Sequence, residues 1–132
     1  MDAVIDEKSG KNPALVLVID DEPGVRKLIG HVLEKQGYRV LLASDGSEGI
    51  ALFEEHADAI RLVILDWHLP GDPGERTFDE LLKRKSTLRV VLVTGDHSAE
   101  LGAGAQEHLA CILLKPFSTS DLMIAVNSVL TA

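Results

Sequence analysis

The sequence is poor in the features of secreted, nucleic-acid-binding and membrane-spanning proteins. It has one cysteine, Cys111, so no internal disulfide can form, and its apolar surroundings predict a small buried core residue in a reducing compartment. Only 13 basic residues face 21 acidic ones, and the net charge of −8 argues against direct binding to nucleic acid. No apolar run approaches the roughly 18 residues of a membrane span, and no signal-peptide pattern is present. We therefore expect a soluble, cytoplasmic protein that does not bind membranes.

The length and the apolar content are those of one domain. The chain has 132 residues, of which 45% are hydrophobic, enough to build a sizeable core. Residues 1–12 are polar and show no periodicity, so we predict a flexible N-terminal lead-in there and a single domain over residues 13–132. We expect a monomer or a weak dimer.

After Pro13 the sequence alternates between apolar runs and amphipathic segments. Four runs are continuously apolar and rich in β-branched residues, which is typical of strands buried on both faces of a parallel sheet. The segment from Tyr38 to Ala43 is less uniform because it carries Arg39, so we expect it at an edge of the sheet. The four uniform runs are Ala14–Ile19, Leu62–Leu65, Val90–Val93 and Cys111–Leu114.

The amphipathic segments predict helices. Pro23 suits the first turn of the first helix, and Gly37 suits its C-terminal end. Asp45 and Glu48 have the spacing of an N-terminal cap that opens a second helix. The apolar stripe of the first helix comprises Val25, Leu28, Ile29, Val32 and Leu33.

Three further helices follow from the same reasoning. One is predicted from about Gly74 to Lys85, and the last should begin at a capping box formed by Ser118 and Asp121. The segment from His97 to His108 is the weakest helix prediction, because it contains two glycines that each cost about 1 kcal/mol relative to alanine.

Together these segments predict five βα units. Right-handed crossovers then place helices on both faces of a parallel sheet, which gives a three-layer α/β fold. In such a sheet, ligands bind beyond the carboxyl ends of the strands, near the switch in strand order. The residues that follow each strand are therefore the candidates for function.

Carboxylates, a hydroxyl and an ammonium follow these strands. Each residue alone has an ordinary structural explanation as a helix cap, a turn residue or a surface lysine. Together they point to chemistry, because clustered carboxylates repel one another unless a cation such as Mg²⁺ lies among them. A carboxylate can also accept a phosphoryl group, whose oxygens a lysine and a hydroxyl can hold. The residues are Asp20, Asp21 and Glu22 after the first strand, Asp66 after the third, Thr94 after the fourth and Lys115 after the fifth.

These residues stand in motifs that resemble those of response-regulator receiver domains, along nearly all of residues 14–131. The motifs are V-I-D-D-E-P at 18–23, L-D-W-H-L-P-G at 65–71 followed by Gly74, V-T-G at 93–95 and L-K-P-F at 114–117. The resemblance implies a flavodoxin-like (βα)5 fold with a parallel sheet of order 2-1-3-4-5. It also implies a signalling domain that catalyses only its own phosphoryl transfer and slow dephosphorylation, and that is otherwise no enzyme.

For the metal and the acceptor, the resemblance implies specific roles. Asp66 would accept a phosphoryl group from a phosphohistidine on a histidine kinase or a histidine phosphotransfer protein. Asp21 and Asp66 would bind Mg²⁺ directly, Asp20 would do so largely through water, and the main-chain carbonyl of His68 would be a further ligand.

For the phosphoryl group, the resemblance implies two more contacts. Thr94 would bind a phosphoryl oxygen and shift on activation. Lys115 would pair with the phosphorylated Asp66, and the Lys115–Pro116 peptide bond would be cis.

The chain departs from the family pattern at one position and carries two suggestive residues at variable positions. The family usually has Tyr, Phe or His three residues before the lysine, where it rotates inward when the threonine moves. Here Ile112 has no ring and no polar tip, and we interpret it as a core residue. His68 and Asp96 occupy the two positions that flank the phosphoryl group and influence how fast water removes it. They are either modulators of that rate or loop residues without a role.

The predicted function is signal reception by reversible, Mg²⁺-dependent phosphorylation of Asp66. The chain ends just after the last helix, so we expect a stand-alone receiver or one taken from a larger protein such as a hybrid histidine kinase, with an unknown output partner. Two alternatives stay open. A haloacid-dehalogenase-like phosphatase would normally carry a second aspartate where His68 stands. A flavodoxin-like flavin-binding protein needs a hydroxyl- and glycine-rich loop where this chain has three acidic residues.

Overall fold

The computed structural model describes residues 14–69, 71, 74–95 and 109–130. The predicted lead-in, the weak helix between His97 and His108, and Asp96 lie outside these ranges. Within them the chain forms five strands and four helices. The strands are β1 (Leu15–Ile19), β2 (Arg39–Ala43), β3 (Ile60–Asp66), β4 (Val90–Thr94) and β5 (Leu109–Leu114), and the helices are α1 (Pro23–Lys35), α2 (Gly46–His56), α3 (Gly74–Arg84) and α4 (Thr119–Leu130).

The five strands form one parallel sheet of order β2-β1-β3-β4-β5. This confirms the predicted order and the edge position of the strand that begins at Arg39. Strands β3 and β4 run one residue beyond their apolar segments, so Asp66 and Thr94 are the last residues of strands. Asp66 pairs with Val93 in the ladder, and the carbonyl of Thr94 accepts a hydrogen bond from the main chain of Lys115 at 2.9 Å.

The sheet carries an apolar core on each face. Alternate residues of a strand point to opposite faces, so Leu17 belongs to one core and Val18 to the other. Each fully buried side chain of this size stabilises the fold by about 1.5–3 kcal/mol. The apolar helix residues with no exposed surface are Phe53, Phe78 and Leu81 on the face covered by α2 and α3, and Ile29, Leu33, Leu122 and Val126 on the face covered by α1 and α4.

Side chains cap two helices at the predicted positions. At α2, a carboxylate oxygen of Asp45 accepts from the main-chain nitrogen of Glu48 at 2.7 Å. The Glu48 carboxylate in turn accepts from the main-chain nitrogen of Ser44 at 2.7 Å, one residue earlier than in the usual capping box. At α4, Ser118 and Asp121 exchange two hydrogen bonds of 3.0 and 3.1 Å, which confirms that capping box.

Helix α1 confirms most of its predicted stripe. It begins at Pro23, and Gly37 follows it with a φ of 95°, in the left-handed region that favours glycine. Ile29 and Leu33 at the centre of the stripe are buried, whereas Leu28 at its border is 47% exposed. With 13 residues, α1 is the longest helix of the described part of the chain, and none there is long and apolar enough to cross a membrane.

Two predictions on β5 are wrong. Ile112 is 49% exposed and is not a core residue. It lies on an edge strand, and its neighbour Leu113 points to the opposite face, where α4 covers it. Cys111 packs against that same core but is only half-buried, because the edge strand has a neighbour on one side alone.

Candidate functional site

The sheet brings the predicted carboxylates together at its carboxyl edge. Strands β1 and β3 are neighbours, and their ladder pairs Ile19 with Leu65. The next residues, Asp20 and Asp66, therefore lie side by side. One carboxylate oxygen from each of Asp20, Asp21 and Asp66 lies within 4.8 Å of the others. The predicted acidic cluster thus exists as a compact group of oxygen atoms.

Lys115 faces this cluster from the end of β5. Its Nζ lies 3.4 Å from Oδ2 of Asp66, 3.7 Å from Oε1 of Glu22 and 3.9 Å from Oδ2 of Asp20. Partial burial acts to lower the pKa of Lys115, but attraction to Asp66 and Asp20 outweighs it, so the pKa is raised. The lysine is therefore held as a cation, and the Lys115–Pro116 bond is cis as the resemblance implied.

The two central carboxylates are taken almost completely out of water. Asp20 is 2% exposed and Asp66 is 3% exposed. Burial is the largest cause that raises the pKa of both groups. Each carboxylate receives one main-chain N–H, from Glu22 to Asp20 at 2.9 Å and from His68 to Asp66 at 3.1 Å, and these bonds act in the opposite direction. The pKa of both groups is raised, because burial outweighs these hydrogen bonds and the attraction to Lys115.

One oxygen of this cluster tests whether the site suits a cation. Oδ2 of Asp20 is buried and accepts no hydrogen bond from any residue that the structure describes. A buried carboxylate oxygen without a donor is costly, and Lys115 at 3.9 Å is too distant to donate. Three carboxylates with one ammonium leave an excess of negative charge, and hard oxygen atoms suit Mg²⁺. The residues present therefore fit a Mg²⁺ ion.

Thr94 and His68 are joined by a contact that the sequence did not reveal. Thr94 is 1% exposed, and its Oγ1 lies 3.2 Å from Nε2 of the exposed His68 ring. No local pattern could have predicted this hydrogen bond, because it links the last residue of β4 to the second residue after β3. Asp96, the other residue predicted to flank the phosphoryl group, lies outside the described residues.

Gly74 and Arg26 also shape the site in ways the sequence left unexplained. The main-chain nitrogen of Gly74 donates to the Trp67 carbonyl at 3.0 Å, and a Cβ at Gly74 would lie 2.5 Å from that oxygen. Only glycine fits there, which accounts for its place in the motif. Nη1 of Arg26 donates to the Asp20 carbonyl at 2.8 Å and so ties α1 to the end of β1.

The fold and the site together define a parallel α/β domain whose carboxyl edge can hold a cation beside a buried carboxylate. A family model described as the response regulator receiver domain matches residues 16–127. The chain therefore belongs to the response-regulator receiver domain family. Such domains accept phosphoryl groups in two-component signalling, interact with histidine kinases or phosphotransfer proteins, and bind Mg²⁺ at an acidic cluster.

Relatives and solved structures agree with this assignment. The chain is 31% identical over 119 residues to the transcriptional regulatory protein GlrR of Escherichia coli, covering 89% of this chain and 26% of GlrR. It is 33% identical over 124 residues to the phosphate regulon transcriptional regulatory protein PhoB of Klebsiella pneumoniae, covering 87% and 51%. A solved receiver domain protein of Clostridium thermocellum matches with a TM-score of 0.81 and 34% identity, covering 89% of this chain and 94% of that one.

The curated relatives match this chain over only part of their own length. The chain spans about a quarter to a half of the length of the curated relatives it matches. The shared region is thus the receiver domain, a signalling domain and not an enzyme that turns over a separate substrate. Neither the phosphatase nor the flavin-binding alternative finds support in these comparisons.

Proposed function

We propose that Asp66 is the phosphoryl acceptor of this domain. The supporting observation is its position at the end of the central strand β3, buried, with Lys115 Nζ at 3.4 Å from one oxygen and the His68 main-chain nitrogen at 3.1 Å from the other. In the reaction, an oxygen of Asp66 attacks phosphorus, the P–N bond to the donor histidine breaks, and the imidazole leaves with the electron pair.

The other residues act on charge and orientation. Lys115 offsets the negative charge of Asp66 and of the incoming phosphoryl oxygens, and the Thr94 hydroxyl donates to one of those oxygens and shifts on activation. Asp20, Asp21, Asp66 and the main-chain carbonyl of His68 would hold Mg²⁺, with Asp20 acting largely through water. When bound, Mg²⁺ supplies the positive charge that the cluster and the phosphoryl group need.

The partners follow from the class of the domain. The phosphoryl donor would be a histidine kinase or a histidine phosphotransfer protein. The domain would catalyse only its own phosphorylation and slow dephosphorylation, in the cytoplasm, either alone or as part of a larger protein such as a hybrid histidine kinase.

Intact-mass measurement after incubation with acetyl phosphate and Mg²⁺ tests the acceptor. The wild type should gain one base-labile phosphoryl group, and Asp66→Asn should gain none. Asp58→Asn is a matched control, because Asp58 is an exposed carboxylate in the turn before β3, and it should behave as the wild type. Full phosphorylation of Asp66→Asn would refute the assignment, as would a wild type that takes up no phosphoryl group.

A further inference from the structure

Asp20 and Asp21 are consecutive residues whose carboxylates lie in the same cluster. In an extended chain, successive side chains point in opposite directions. Directly after β1, however, one carboxylate oxygen of each aspartate lies within 4.8 Å of the other and of an oxygen of Asp66. The main chain bends at Asp21. This bend is what brings two neighbouring carboxylates to one place.

Three hydrogen bonds hold the turn from Asp20 to the start of α1. The main-chain nitrogen of Glu22 donates to Oδ1 of Asp20 at 2.9 Å and fixes that side chain. The main-chain nitrogen of Arg26 donates to the Glu22 carbonyl at 2.9 Å, in the first turn of α1. Nη1 of Arg26 donates to the Asp20 carbonyl at 2.8 Å. The side chain of Arg26 thus holds the peptide group that joins Asp20 to Asp21.

This contact acts on the orientation of the carboxylates. Arg26 donates to a main-chain carbonyl, whereas Lys115 is the cation that attracts the carboxylates of Asp20 and Asp66. A hydrogen bond from a guanidinium is charge-assisted and stronger than one between neutral groups. Clustered carboxylates repel one another, and rotation of the peptide group would let two of them separate. The bond from Arg26 resists that rotation.

We propose that Arg26 is a positioning residue for the Mg²⁺ ligands. Its guanidinium holds the peptide group between Asp20 and Asp21 so that both carboxylates stay in the cluster, and it acts through Asp20 rather than on the ion. This inference rests on the Mg²⁺ site of the proposed function. Ligands that are already held in place need less ordering when an ion binds, and this favours binding.

The Mg²⁺ affinity of Arg26→Met tests the proposal by the sign of its change. Loss of the hydrogen bond should weaken Mg²⁺ binding by about three- to tenfold. Loss of the positive charge alone would have the opposite effect, because a guanidinium repels a cation. Titration of the metal-free protein with MgCl₂, followed by the amide chemical shifts in NMR spectra, measures the dissociation constant.

Two controls separate positioning from charge and from general loosening. Lys27→Met removes an exposed positive charge from the neighbouring position of α1 and should bind Mg²⁺ no more weakly than the wild type. Tyr38→Phe removes a side-chain hydrogen bond of 3.0 Å to Asn127, which ties the chain after α1 to α4, and should leave the Mg²⁺ affinity unchanged. A thermal unfolding scan of each variant checks that the fold is kept.

Hydrogen exchange of the Glu22 amide gives a readout that does not depend on metal. In the metal-free protein, Arg26→Met should speed this exchange by about three- to tenfold, and Lys27→Met should not. The proposal would be overturned if Arg26→Met bound Mg²⁺ as tightly as the wild type or more tightly, or if its Glu22 amide exchanged at the wild-type rate. A wild type whose amide shifts do not respond to Mg²⁺ would instead refute the metal site, and exchange at Glu22 would still show whether Arg26 holds the turn.

Discussion

The central strands and their carboxyl edge are both buried, yet the strands bury apolar side chains and the edge buries carboxylates. Strands β1 and β4 bury every residue, and all of these except Thr94 are apolar. One residue beyond β1 and at the last residue of β3, burial is almost as complete, but the side chains are Asp20 and Asp66. In the strands, burial stabilises the fold. At the edge, burial raises the pKa of two carboxylates, and one of their oxygens has no hydrogen-bond donor within the described part of the chain.

This difference teaches that the site depends on the strands beneath it. A buried charge without adequate partners costs free energy, so a cluster of carboxylates could not hold its position on a flexible loop. The apolar strands supply the stability, and the rigid ladder between β1 and β3 holds the carboxylates together. Mutations in the two regions should therefore have effects of opposite sign.

The largest effect is expected from a deletion in the central strands. Ile64 is buried in β3, two residues before Asp66, and Ile64→Ala should lower the free energy of unfolding by about 2–5 kcal/mol. Ile112→Ala is the matched control at the sheet edge, where the half-exposed side chain should cost about 1 kcal/mol or less. Urea unfolding of both variants measures the two losses. Similar losses would contradict the exposure of Ile112.

A smaller loss is expected where the strand edge meets α3. Gly74→Ala would force a methyl group against the Trp67 main chain and should lower the free energy of unfolding by about 1–3 kcal/mol. It should also shift the emission of Trp67. Gly24→Ala is the control, because no atom lies within 4 Å of the added group, and its effect should stay within about 0.5 kcal/mol. Equal stability of the two variants would show that the contact with Trp67 is not restrictive.

At the carboxyl edge, we expect a substitution to raise the free energy of unfolding instead of lowering it. Asp20→Asn removes a buried, undercompensated charge and should raise the free energy of unfolding in the presence of a chelator by about 1 kcal/mol. The wild type should gain about 1.4 kcal/mol when Mg²⁺ is at ten times its dissociation constant, and the variant should gain less. Thermal unfolding with and without Mg²⁺ measures both quantities, with Asp58→Asn as the control. A destabilised Asp20→Asn protein would mean that the charge is well compensated.

The smallest expected effect is the dependence of the free energy of unfolding on pH. The pKa values of Asp20 and Asp66 are raised above the ordinary 3.8, so the folded state binds more protons than the unfolded state just above that pH. Without metal, the contribution of these groups to stability therefore falls as pH rises through 3.8 toward the raised values. The advantage of Asp20→Asn over the wild type should shrink when the pH is lowered through this window. Urea unfolding at a series of pH values tests this, and a constant difference would contradict it.

Much of this fold could be predicted because its signals are local. Continuous apolar runs identified the strands, and side-chain caps identified the starts of α2 and α4. Functional residues follow strands in parallel sheets, so the sequence predicts that Asp20, Asp66, Thr94 and Lys115 lie together. The strand order itself came from the resemblance to receiver domains, since the apolar runs alone are compatible with several orders.

The sequence by itself therefore determined which segments are strands and helices and which polar residues gather at the carboxyl edge. Only the tertiary structure decided that Ile112 is exposed, that Gly74 lies against Trp67 and that the ring of His68 reaches Thr94. These features depend on which neighbours a residue acquires from distant parts of the chain. Local patterns report the period of a segment and its ends, whereas the exposure of an edge strand and the contacts between strand ends arise only when the whole sheet has assembled.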